Sequence, residues 1–241
     1  MQRSLYLLLS TILFFPSVFW AQSRAEAPID TASHAVCYLE VTPSSRATAV
    51  VALKQYRDTS RKDEGYVRVE LFEQIGRPAH FAIVETWTGQ KAFDAHGAAE
   101  HTKQLLSKLE SIRISGYDQR PYKTLTAGSA PPPPDHRAIY VIAHVDIAGP
   151  QTDAPGLLRR LAEASRKDEG SLRFDVLQHS MRANHFTVVE AWQSQKALDA
   201  HTAAAHTRQY RDTLQPMSGS PLDERLYKVE IAESPVRRNY R

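Results

Sequence analysis

Apolar and polar positions alternate along this chain in short runs of period two, separated by stretches of period near 3.6, and the succession occurs twice. Ala35 to Val41 is β-branched and aromatic and predicts a strand. Thr42-Pro43-Ser44-Ser45 stops it and offers helix caps. Residues 46–61 place Ala47, Val50, Val51 and Leu53 on a helical stripe. Tyr66 to Glu73 alternates, with Val67, Val69 and Leu71 on one face and Arg68, Glu70 and Phe72 on the other. A turn at Ile75-Gly76-Arg77-Pro78 leads to a second alternating strand, Phe81 to Trp87, and so to a hairpin. A helix capped near Gly89 runs through Ala92, Ala95, His96 and Ala99 to Leu109, its alanines suited to close approach to a sheet. A short last strand follows Arg120-Pro121-Tyr122-Lys123.

The second half repeats the order. Strands are expected at Ile139–Ile147, Leu172–Gln178, Phe186–Trp192 and Glu224–Ile231, and helices at residues 155–166 and Gln195–Leu214. The repetition extends to the residues themselves. Ser-Arg-Lys-Asp-Glu-Gly stands at 60–65 and again at 165–170, and across 60–109 against 165–214, 25 of 50 positions are identical without a gap. The chain therefore contains two copies of one unit, each of β-α-β-β-α-β order, the ferredoxin-like α+β plan. The first spans 30–126 and the second 138–232. The segment 127–137, with Pro131 to Pro134, reads as a polyproline II linker, and 233–241 as a tail.

A four-stranded sheet with helices on one face leaves the other face bare. The alternating strands carry apolar residues on both faces. Two sheets facing each other inside one chain would cover both, giving a pseudo-dimer with the architecture of a dimeric α/β-barrel. Further oligomerisation is left open.

Composition narrows the partners. With 30 basic and 27 acidic residues among 241 and no long basic run, the chain has no nucleic-acid signature. Residues 1–27 read as a cleaved signal peptide: Gln2-Arg3, an apolar run from Leu5 to Phe15, and Ala21-Gln22-Ser23 at the peptidase site. A periplasmic or secreted protein, free of the membrane after cleavage, is expected. The lone Cys37 excludes an internal disulfide and reads as a small buried hydrophobe.

The motifs that carry chemistry are His-Phe-x-x-Val-Glu-x-Trp at 80–87 and 185–192, then Lys-Ala-x-Asp-Ala-His at 91–96 and 196–201, with a second histidine five residues on. In this order they resemble the antibiotic biosynthesis monooxygenase domain, over roughly 34–126 and 138–232. The resemblance implies a dimeric α+β barrel and oxygenases of quinols and polyketide anthrones that use neither metal nor flavin. It also embraces haem-degrading members and members without established activity. Trp87 and Trp192 match the family's tryptophan at the end of the third strand. His96 and His201, with His101 and His206, match the histidines of its second helix. The first strands lack the asparagine of the haem-degrading branch.

Oxygenation without a cofactor needs a substrate that reduces O2 once deprotonated, so an aromatic phenol or hydroquinone, a base near neutral pKa and donors for the developing anion are expected. Histidine suits the base. His96 and His201 are the candidate catalytic bases, and Trp87 and Trp192 complete the candidate catalytic set. Glu85 and Glu190 share the strand parity of Phe81, Ile83 and Trp87 and should point inward. An inward carboxylate needs a partner, and Arg68 and Arg173 are the candidates across the hairpin. These four, with His101 and His206, form the candidate binding set. In a continuous helix His101 lies about 140° around from His96, unlike the i, i+4 pair of a helical metal site, so no metal is expected; the resemblance implies that no cofactor is used either. Each histidine and tryptophan also has a plain reading as core, and Ser-Arg-Lys-Asp-Glu-Gly as a solvated helix end. Non-catalytic binding or a stress-response role of the same fold is the alternative function, and haem binding or degradation another. If the leader is cleaved, mass spectrometry of the native protein will find an N-terminus between about Gln22 and Pro28; an intact Met1 on exported material would remove the signal reading.

Overall fold

The structure, a computed structural model, describes residues 31–129, 133, 135–149 and 153–229. The signal segment, most of the proline run and the tail lie outside the described residues. Unit one comprises β1 (Ser33–Glu40), α1 (Arg46–Ser60), β2 (Tyr66–Gln74), β3 (His80–Trp87), α2 (Gln90–Ala98), α3 (Glu100–Glu110) and β4 (Asp118–Thr126). Unit two comprises β5 (Ile139–Asp146), α4 (Ala154–Ser165), β6 (Ser171–His179), β7 (His185–Trp192), α5 (Gln195–Thr202), α6 (Ala205–Leu214) and β8 (Asp223–Lys228). The ferredoxin-like order is present in both.

The eight strands close into one barrel in the order β1-β3-β2-β8-β5-β7-β6-β4. The last strand of each unit makes the seam with the other. At one seam Tyr122 pairs with His179 and Thr124 with Leu177. At the other Glu73 pairs with Lys228 and Gln74 with Tyr227. Closure leaves no strand edge unpaired and turns both bare faces inward. Val36, Phe72 and Val84 of unit one meet Ile142, Leu177 and Val189 of unit two there. Polar contacts also cross the lumen. Tyr38 Oη lies 2.6 Å from His144 Nε2, and Arg173 donates to Glu70 and to Asp175, each at 2.6 Å. Each outer face is covered by its own helices over a separate core, such as Cys37, Leu53, Leu71, Ile83 and Leu109 in unit one.

Several expectations need correction. The buried stripe of α1 is Ala49, Ala52, Leu53, Tyr56 and Ser60, while Val51 is two-thirds exposed. The packing partner, sheet and α3 together, selects a face rotated from the one hydropathy suggested, and it brings Tyr56 inside. Only part of the α2 stripe packs inward: His96 is buried and Ala92 half-buried against the core, while Ala95 is exposed. The predicted long second helix is two helices in each unit. The breaks fall at Ala99 (ψ 149°) and Ala204 (ψ 150°), one extended residue at the same place in both copies. β4 is nine residues long and includes Arg120 to Lys123. Arg68 and Arg173 do not serve Glu85 and Glu190. Strand parity sends the arginines into the lumen, where Arg68 lies 3.6 Å from Glu70, and sends the two glutamates outward beneath the helices.

Residues 30–126 alone would expose the lumen face and leave Glu70 without Arg173. That fragment will dimerise or lose stability, as read by sedimentation and denaturant unfolding. A well-folded monomer would contradict the dependence on closure.

Candidate functional site

Two equivalent sites lie between the sheet and the helices, one per unit. In each, β3 or β7 ends by presenting a glutamate and a tryptophan on the helix-facing side. In unit one Trp87 Nε1 lies 3.3 Å from Glu85 Oε2, and in unit two Trp192 Nε1 lies 2.7 Å from Glu190 Oε2. The first histidine of the helix pair lies flat on the indole, with ring centroids 4.1 Å apart for Trp87–His96 and 4.4 Å for Trp192–His201.

The other side of each imidazole meets the repeated hexapeptide. His96 Nδ1 is 2.7 Å from Asp63 Oδ2, and His201 Nδ1 is 2.8 Å from Asp168 Oδ2. An ionised carboxylate only accepts, so Nδ1 carries the proton in both. Gly65 and Gly170 make this approach possible. Both have positive φ, 75° and 79°, and a Cβ there would stand 2.4 Å from Ala92 Cβ or 2.6 Å from Ala197 Cβ. The turn carrying the aspartate can thus tuck under the following helix. The hexapeptide is a helix end whose Lys62 and Glu64, like Lys167 and Glu169, face solvent, and whose aspartate and glycine also build the site.

The helix break brings in the second histidine. His101 Nε2 lies 3.2 Å from Asp63 Oδ2, and His206 Nε2 3.2 Å from Asp168 Oδ2. The extended residue at 99 or 204 undoes the rotation expected of a continuous helix. The spacing argument that set the two histidines apart, and excluded a metal arrangement, therefore fails.

The units differ in what fills the space beside the histidine. In unit one the Tyr56 hydroxyl lies 2.6 Å from both Glu85 Oε1 and His96 Nε2. Glu85 is fully buried and takes hydrogen bonds from Tyr56 and Trp87. In unit two the repeat register puts Leu161 at the position of Tyr56 and Leu222 at that of Tyr117. There a cavity of about 330 Å³ opens, lined by Leu161, Glu190, Leu198, His201, Tyr210 and Leu222 among others. Arg211 and Glu224, paired at 3.1 Å, line both this cavity and a wider cleft of about 700 Å³ beside it.

Electrostatics sharpen the difference. Burial pushes the Glu190 carboxyl up to about 7, aided by Glu224 and opposed by the Trp192 N–H and Arg211. Burial lowers His201 below the ordinary histidine value, against the raising effect of Asp168. The Tyr210 phenol is raised by burial first and by Glu224 and Glu190 next, and its hydroxyl has no hydrogen-bond partner among the described residues.

Trp87, Trp192, Glu85, Glu190, His96, His201, His101 and His206 are thus brought together within their units, and Arg68 and Arg173 are not. Sequence reasoning missed Tyr56, Asp63, Asp168, Tyr210 and Arg211. The duplicated hexapeptide was a usable signal for the aspartates, and the Tyr56/Leu161 exchange between otherwise matched copies was one for the cavity.

Glu190 offers a check on this electrostatic picture. A carboxyl raised from 4.5 to about 7 binds more protons folded than unfolded between those values. It therefore favours the fold fully below about pH 4.5, and that contribution is lost as pH rises through 7. Glu190→Gln will flatten this slope and stabilise the protein near pH 8 relative to the parent, by on the order of 3 kcal/mol at most. Urea titrations of both proteins from pH 5 to 8 compare the slopes, and the lowered histidines, which act in the opposite direction, cancel in the difference.

Residues 33–107 and 138–213 each match the family described as Antibiotic biosynthesis monooxygenase. A Bacillus subtilis (strain 168) protein named "Putative monooxygenase YcnE" is 27% identical over 81 residues, 34% of this chain and 85% of that protein. A Fusobacterium nucleatum protein described as a "Putative monooxygenase" superposes with TM-score 0.74 at 15% identity, over 83% of this chain and 92% of its own. A structure described as an anthrone oxidase-like protein does so with TM-score 0.61 at 12% identity, over 83% and 91%. These superpositions span both units and so bear on the whole barrel. Matched in both halves, and folded as the motifs require, the chain belongs to the antibiotic biosynthesis monooxygenase family, with two domains of it in one polypeptide.

Proposed function

We propose that the chain is a cofactor-independent oxygenase of an electron-rich phenolic or quinol-like aromatic, and that unit two alone is its working site. The observation that carries this reading is the cavity beside His201, present where Leu161 stands in place of Tyr56. Asp168 holds the Nδ1 proton of His201, which leaves the Nε2 lone pair for the cavity. A neutral, burial-depressed imidazole fixed in that tautomer is ready to take a phenol proton. Glu190, near half-ionised at pH 7, and the unpartnered Tyr210 hydroxyl can hold the substrate oxygens. Trp192 and the leucines supply an apolar wall that keeps the phenolate poorly hydrated and reducing. The substrate itself furnishes the electrons. The phenolate gives one electron to O2, the radical pair joins as a carbon hydroperoxide, and loss of water leaves a carbonyl, so CH2 + O2 becomes C=O + H2O. In unit one Tyr56 closes the same position, and His96, with its Nε2 against that hydroxyl, keeps a structural role. The sequence-based expectation of export fits such a role outside the cytoplasm and remains part of the proposal.

The test is O2 consumption with a panel of anthrones and hydroquinones. His201→Gln will lower the rate at least about tenfold, since a general base contributes typically 10²- to 10⁴-fold. His96→Gln will change it less than about twofold by the same measure. Equal losses in the two variants would reject the assignment to unit two. An inert wild type that still binds these aromatics would favour the non-catalytic binding role.

A further inference from the structure

We propose that each Asp-His-His cluster, Asp63/His96/His101 and Asp168/His201/His206, is a binding site for a divalent transition-metal ion of the zinc class. In each cluster one carboxylate oxygen and two ring nitrogens lie within 4.8 Å of one another. The donors around a tetrahedral zinc ion stand about 3.4 Å apart, and the aspartate-to-histidine separations here are 2.7 and 3.2 Å in unit one and 2.8 and 3.2 Å in unit two. Two imidazoles and a carboxylate suit a borderline cation such as Zn2+ better than Mg2+ or Ca2+, which favour oxygen. Three protein ligands leave a fourth position for water.

Three further observations support the assignment. The ligands come from three separate segments, the turn after α1 or α4 and the two helices of each broken pair. The one extended residue that joins their donors, Ala99 or Ala204, is kept in both copies, as are all three ligands, although half of the surrounding positions differ. In unit two the donor atom His206 Nε2 is buried and makes no hydrogen bond, despite lying 3.2 Å from Asp168. A buried nitrogen that faces a carboxylate without hydrogen-bonding to it is poorly satisfied, and a metal ion between the two would satisfy it. Asp63, His101, Asp168 and His206 are partly exposed, with side chains 16–27% accessible, so an ion can enter without opening the core.

Binding needs no oxidant and no net loss of protons. The proton on each coordinating nitrogen transfers to the other nitrogen of the same ring. At His201 this puts the proton on Nε2, so a loaded unit two would present a donor to its cavity where the metal-free form presents an acceptor. The site does not rest on the oxygenase reading, and its test reads binding alone.

The experiment uses untagged, chelator-treated full-length protein. Calorimetry with Zn2+ is expected to give two ions per chain, His206→Gln one, and His101→Gln/His206→Gln none. Both substitutions fall on partly exposed side chains, and circular dichroism checks that the variants fold. As a second readout Cu2+ will quench the emission of Trp87 and Trp192, which stack on His96 and His201, and the double variant will lose that saturable quenching. Failure of the wild type to bind Zn2+ saturably, or the same stoichiometry in the folded double variant, would overturn the proposal.

Discussion

The requirement to cover the second face of a four-stranded sheet governs this molecule. Each unit's helices cover one side, and the other carries Val36, Phe72, Val84 and their counterparts, which water cannot solvate cheaply. Closing the barrel buries both inner faces at once and removes all strand edges. It also commits the lumen to structure. The buried Arg173–Glu70–Asp175 cluster and the Tyr38–His144 contact set which residues of the two units face each other. A buried ion pair of this kind adds little net stability over an apolar replacement, but losing one partner leaves a costly buried charge.

The lumen is filled, and the candidate sites lie on the outer side of the sheet, beneath each unit's own helices. There each site is built from residues of its own unit. Tyr56 against Leu161 is the consequential difference. In one copy a phenol seals the space and satisfies Glu85; in the other a shorter side chain leaves room and an underbonded Glu190. Tandem duplication allows this division, since one unit can serve as packing partner while the other keeps an open cavity.

The sequence made the fold legible because its signals were local and doubled. Strand parity grouped Glu85 with Phe81, Ile83 and Trp87 on one buried face, which the structure puts beneath the helices, and the bare-face argument led to the barrel. Two kinds of information were not local. Helix rotation depends on the packing partner, so of the hydropathic stripe Ala47, Val50, Val51 and Leu53 the core keeps Leu53 and part of Val50 and adds Ala49, Ala52 and Tyr56, of which hydropathy gave no sign. A single extended residue inside a helix-like stretch has no strong marker. Ala99 is a good helix former, so the break that unites His96 with His101 was invisible. The arginines were misassigned for a simpler reason: as hairpin neighbours of the glutamates they seemed natural partners, yet Arg68 and Glu85 lie on opposite faces of the sheet.

The placement of unsatisfied groups argues that the asymmetry is functional. Among the described residues the buried side-chain atoms without a hydrogen bond are His206 Nε2, Tyr210 Oη and Arg211 Nε, and all three lie on α6. Each such group costs on the order of 1–3 kcal/mol. The corresponding positions in unit one are His101, Leu105 and Leu106, so Tyr210 and Arg211 have no polar counterpart there. A duplicated domain relaxing toward stability would lose these polar groups first, or fill the cavity with a tyrosine as unit one does. Retaining them around a cavity, next to a carboxyl held near neutrality, is the pattern expected where a ligand completes the hydrogen bonding that the protein leaves open.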